Sequence, residues 1–130
     1  MGWMGRGAAT GLLLSTLAVQ AADAPSGAEL FMNHCASCHG ASGEGDGPVA
    51  AVLQAMVPNL RSLAMRNGGT FPTAEVTAYI DGREMKAAHG DRQMPVWGDV
   101  FRGPEQGIAE RTVHARIDAL VGFIAELQYR

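Results

Sequence analysis

Cys35-Ala36-Ser37-Cys38-His39 is the stretch that decides how this chain is read. Two cysteines separated by two residues, with a histidine immediately after, form an attachment signature for a c-type haem. The spacing has a chemical reason. Each thiol adds to one vinyl group of the porphyrin, and the vinyls lie within reach of cysteines about one helical turn apart. His39 is then presented to the iron. Other uses of the motif fit less well. Structural zinc takes four ligands, yet these are the only two cysteines in the chain, and His39 is badly placed to share a tetrahedral ion with its neighbour Cys38. A thioredoxin-like dithiol needs a βαβ context, and no strand pattern precedes the segment. A disulfide across two intervening residues closes too small a loop to stabilise much.

Upstream of the motif, the N-terminus reads as a secretory signal. Arg6 supplies a short positive region, Ala8 to Val19 is apolar or small, and Val19-Gln20-Ala21 has the form of a cleavage site. The apolar stretch falls short of the ~20 residues that span a bilayer. The expected organisation is therefore a leader over 1–21 and one domain over 22–130, soluble and periplasmic after cleavage. Removal of the leader takes away Arg6 alone, leaving 9 basic and 13 acidic residues from the original 10 and 13, a net −4.

Composition sets further bounds. At 130 residues the chain makes one domain. Aromatics make up only 6% of it, so the core needs another large apolar body, which a haem supplies. No basic run marks a nucleic-acid or membrane-surface partner.

Downstream and around the motif the elements read as helices. Ser26-Gly27-Ala28-Glu29 has the form of a capping box, which starts the first helix at about Gly27. Ala28, Phe31, Met32 and Cys35 are expected to share its inner face, with His34 turned to solvent. Gly40 to Pro48 is a glycine-dense loop, and Val49 to Met56 is expected as a short helix after Pro48. A further helix is predicted over Pro72 to Ile80 and stopped by Gly82, with Tyr79 in the core. Gly82 to Gly107 reads as a long, largely irregular loop. Ile108 to Tyr129 is the clearest helix, with Val113, Ile117, Leu120, Ile124 and Leu127 in one stripe.

The long loop holds His89-Gly90-Asp91-Arg92-Gln93-Met94-Pro95-Val96-Trp97-Gly98. Met94 is the candidate sixth ligand, since Pro95 biases it toward an extended conformation suited to crossing a flat ring. Met85 and His89 are rivals within the same loop; a second histidine would give a haem of lower potential. Met56 and Met65 fall where core filler is expected. Trp97 can wall the pocket and offer its N–H to a propionate. Arg66, Arg83, Lys86 and Arg92 are available to pair with propionates.

Cys-His-Gly followed by Gly-Asp-Gly-Pro, together with Met-Pro-Val-Trp-Gly, closely resembles the pattern of small bacterial class I cytochromes c. The resemblance extends from Ser26 to Leu127. It implies an all-α fold of about four helices around one covalent haem c, held by Cys35 and Cys38 and ligated by His39 and Met94. It further implies that the Pro58 carbonyl accepts the Nδ1 proton of His39, and that Gly27 and Phe31 cross against Leu120 and Phe123. The implied function is one-electron transfer to and from redox protein partners, with no catalysis of its own. Such a protein works as a free monomer or as a subunit of a periplasmic oxidoreductase. A haem sensor or peroxidase with a displaceable sixth ligand is the alternative. Without a ring of lysines, docking on a neutral or basic patch is expected rather than on a strongly acidic one.

Overall fold

Ser26 forms a reciprocal cap at the first helix. Its hydroxyl accepts from the Glu29 backbone N–H at 3.2 Å, and the Glu29 carboxylate accepts from the Ser26 N–H at 2.8 Å. Helix α1 (Gly27–His34) follows, breaks at Cys35, and resumes as α2 (Ala36–His39). The computed structural model describes Met1 and residues 24–84, 93–103 and 108–130. The expected leader over 1–21 lies outside them, apart from Met1, as do Met85, Lys86, His89 and Arg92.

The remaining helices are α3 (Leu63–Arg66), α4 (Thr73–Asp81), α5 (Trp97–Arg102) and α6 (Glu110–Glu126). Among the described residues there is no strand, as the all-α expectation requires. No helix among them is long and apolar enough to cross a membrane. The core lies where α6 meets α1, α4 and α5. Val113, Ile117, Leu120, Val121 and Ile124 of α6 are buried there with Leu30, Phe31, Ile80 and Phe101.

Gly27 makes the α1–α6 crossing close. A Cβ at Gly27 would run into the Ala119 carbonyl and the Phe123 Cβ. One turn on, the Phe31 and Phe123 rings stand 5.3 Å apart. Phe123 is the partner expected from the family pattern, while the residue against Gly27 is Ala119 rather than the expected Leu120.

Several expectations need correction. The inner stripe of α1 is Gly27, Leu30, Phe31 and His34, spaced at three, four and seven; Ala28 and Met32 face solvent. Only a 3-10 turn, Ala50–Val52, forms where a helix over Val49 to Met56 was expected. Val52 and Met56 are exposed there, so no buried stripe holds a longer helix together. Met65 and Tyr79 are also exposed rather than core. The span from Gly82 to Gly107 contains α5, and the last helix is trimmed to Glu110–Glu126.

Candidate haem site

Cys35 sits at the break between α1 and α2, buried, while Cys38 and His39 ride on α2. Both thiols are free. Burial pushes the Cys35 thiol up to about 12, with the neighbouring Cys38 adding to the effect, so it stays neutral until it reacts.

The glycine-dense loop closes the end of α2. The N–H groups of Gly45, Gly47 and Val49 donate to the carbonyls of His39, Cys38 and Ser37, at 2.8, 3.2 and 2.9 Å. These carbonyls would otherwise be orphaned at the helix terminus. Gly45 adopts φ +85°, and a Cβ there would strike the carbonyls of Val57 and Pro58. The loop therefore lies directly on the backbone of the Pro58 segment.

His39 is buried, and its Nδ1 stands 3.4 Å from the Pro58 carbonyl oxygen. A carbonyl only accepts, so Nδ1 carries the proton in this contact and Nε2 keeps its lone pair. Burial lowers the His39 pKa, and the Pro58 carbonyl opposes that shift. The ring is thus a neutral imidazole, the form that binds a metal.

Two adjoining cavities meet at this histidine. The first, about 170 Å³, is lined by all six residues singled out in the sequence: Cys35, Cys38, His39, Pro58, Met94 and Trp97. The second, about 220 Å³, shares Cys35, His39, Pro58, Tyr79 and Met94 and runs on to Leu63, Ile80 and Ile124. Trp97 packs its ring 5.3 Å from His34 and 5.7 Å from Phe101. Gln93, next to Met94, accepts from the Ala55 N–H at 3.0 Å, joining the Met94 segment to the opposite wall.

This donor set fits a haem: two thiols for its edge, one neutral imidazole, one thioether, and an apolar cleft. It does not fit a bare ion, because no group of three or more His, Cys, Asp or Glu among the described residues could hold one. The Cytochrome c family model matches residues 24–128. The chain belongs to the cytochrome c family. Searches of curated proteins and of solved structures return no match.

Membership implies a covalently bound haem c and haem-based electron transfer. Three residues of this cytochrome's cleft went unassigned in the sequence. His34, expected in solvent, instead lines the first cavity and packs on Trp97 and Phe101. Its signal was the i, i+3, i+4, i+7 stripe from Gly27. Tyr79 lines both cavities, and Gln93 carried no signal beyond its place beside Met94. Of the possible propionate partners in this cytochrome, Arg83 is taken up by Asp81 and Glu110, and Arg66 donates to the Asn59 carbonyl. Lys86 and Arg92 lie outside the described residues, as do the rival ligands Met85 and His89.

Proposed function

We propose that this cytochrome is a periplasmic one-electron carrier whose haem c is tethered by Cys35 and Cys38 and ligated by His39 and Met94. The observation that carries the reading is the cleft in which both thiols, a buried neutral imidazole and Met94 line the same walls. A haem bound there would supply one-electron chemistry, and the chain's part would be to hold both donors, His39 and Met94, in either state. The Pro58 carbonyl orients the imidazole and strengthens its donation. Met94 offers a soft thioether, which favours the ferrous form and raises the potential.

Export rests on the leader, whose removal near residue 21 leaves the acidic mature chain. Donor and acceptor are then redox proteins with neutral or basic docking patches, met as a free carrier or within an oxidoreductase. Optical and redox titration of the purified holoprotein tests the ligand set. The ferric spectrum should show a methionine–iron charge-transfer band that Met94→Ala abolishes and that Met85→Ala and His89→Ala retain. Ready carbon monoxide binding by the wild type at neutral pH would instead favour a sensor or peroxidase.

A further inference from the structure

Gly98 closes the string Met94-Pro95-Val96-Trp97-Gly98 and is buried on α5. What it rests against is charged. A Cβ at Gly98 would strike Arg83 Nε and Cδ and Asp81 Oδ1. Asp81, the last residue of α4, holds the Arg83 guanidinium through both carboxylate oxygens, at 2.5 Å to Nε and 2.7 Å to Nη2. Arg83 Nη1 then reaches Glu110 Oε1 at 2.5 Å, at the first residue of α6. Arg102, at the last residue of α5, reaches the other oxygen of Glu110 at 3.0 Å. The end of α4, the end of α5 and the start of α6 are thereby joined through one carboxylate.

An isolated surface ion pair contributes little. This one differs in two respects. The Arg83 and Asp81 side chains are only 18% and 23% exposed, and the fork of two parallel bonds fixes angle as well as distance. A flat, rigid guanidinium–carboxylate face is a surface on which a backbone without a side chain can seat at one height. From that seat α5 runs back through Val96, whose carbonyl accepts from the N–H groups of Asp99 and Val100, to Met94 in the cleft.

We propose that the Asp81–Arg83 pair, locked by Glu110, is the seat that positions α5 and through it Met94 on the iron. Arg83 is then a positioning residue of the sixth-ligand side and not a propionate partner. The inference rests on the reading of Met94 as that ligand. Its signature is the ease with which Met94 leaves the iron, because an added ligand binds in proportion to the fraction of molecules with that position open.

The test titrates imidazole into ferric holoprotein and follows the charge-transfer band. Gly98→Ala, which lifts α5 off the seat, should bind imidazole about tenfold more tightly than wild type, and Glu110→Gln, which removes the lock at an exposed site, about threefold. Val121→Ala, a core truncation on α6 away from the seat, should lower thermal stability and leave the imidazole affinity unchanged. If Gly98→Ala does not fold, Glu110→Gln carries the test alone. Affinities within twofold of wild type, or an equal tightening in Val121→Ala, overturn the inference while the band's loss in Met94→Ala upholds the ligand. A band that survives Met94→Ala overturns the ligand reading and the seat with it.

Discussion

At 3.4 Å, the contact between the Pro58 carbonyl and His39 Nδ1 is long for a hydrogen bond, so small displacements decide whether it acts at all. The surrounding chain fixes the carbonyl closely. Gly45 lies against it from the loop side. Just beyond, the Asn59 carbonyl accepts from Ser62 Oγ at 3.0 Å and Arg66 Nη2 at 3.1 Å, while Asn59 Oδ1 accepts from the Arg61 N–H at 2.9 Å. Gly45→Ala forces a side chain onto φ +85° and into the carbonyls of Val57 and Pro58. The Nδ1 proton then loses its acceptor, the imidazole donates less, and ferric iron is less stabilised. The midpoint potential should rise by on the order of 30 mV, about half of the 59 mV that marks a tenfold change for one electron. Redox titration measures it; an unchanged or lowered potential would show that Pro58 does not act on His39. Of the six site residues that line the cleft, Cys35, Cys38, His39, Met94 and Trp97 were legible because they sit in short chemical strings, whereas Pro58 entered only through the family resemblance. Contacts such as Gly45 on Pro58 were not, since nothing local in Gly-Glu-Gly-Asp-Gly says which backbone it will meet.

Helix-scale features were legible in proportion to how much of their stability is local. The capping box at Ser26 and the stripe of α6 each write their own boundary, to within a few residues. Helix α5 has six residues, too few for a periodicity, and its place is set by tertiary contacts with α4 and α6. The segment after Pro48 shows the converse. Ala-Ala-Val-Leu-Gln-Ala-Met has helical propensity but buries no stripe, and propensity alone does not hold so short a helix. The α1–α6 crossing gives a paired test with two glycines. Gly27→Ala pushes a methyl into the Ala119 carbonyl and the Phe123 side chain, and should cost about 1–3 kcal/mol as overpacking does. Gly122, exposed on α6, has nothing within 4 Å of an added Cβ. Gly122→Ala should therefore stabilise by about 0.5–1 kcal/mol, the helix-propensity difference. Denaturant unfolding of the holoprotein reads both, and the same sign for the two variants would refute the close crossing. Where α4, α5 and α6 meet, Arg83 foremost holds the Asp81 and Glu110 carboxyls below their usual values. Groups with depressed folded-state pKa values contribute stability that is complete above the ordinary carboxylate values, 3.8 and 4.5. It is lost as pH falls through the lowered ones. Glu110→Gln should accordingly show a shallower acid limb than wild type below about pH 5 in urea unfolding.

Over the whole molecule, two halves meet across the cleft. One is the helical core of α1, α4, α5 and α6. The other is the glycine loop and the segment from Pro58 through α3, held by the C-terminal tail. There Gln128 donates to the Leu60 carbonyl and accepts from the Ala64 N–H, both at 2.8 Å. Arg61 donates to the Leu127 carbonyl at 3.1 Å and pairs with Glu44 at 3.0 Å, with its guanidinium over the Tyr129 ring. These are mostly polar contacts, several of them exposed, and each contributes little beside apolar burial. Apolar contact between the halves runs through Leu60 and Leu63, which pack against the core, and through the lining of the cleft. The cleft of about 170 Å³ is lined from both halves, and a haem bound there would bury apolar surface of each, which is how so few aromatic residues suffice. Cys35→Ser/Cys38→Ser, made so that no haem is attached, should lose the cooperative unfolding transition of the holoprotein and much of its far-UV helical signal, with α6 the least affected because it is the longest helix, at 17 residues. Addition of free haem should restore helicity only in part, since without the thioethers nothing ties its edge to α2. A double variant that unfolds cooperatively at the holoprotein's midpoint would show instead that the polar staples at the C-terminus close the molecule by themselves.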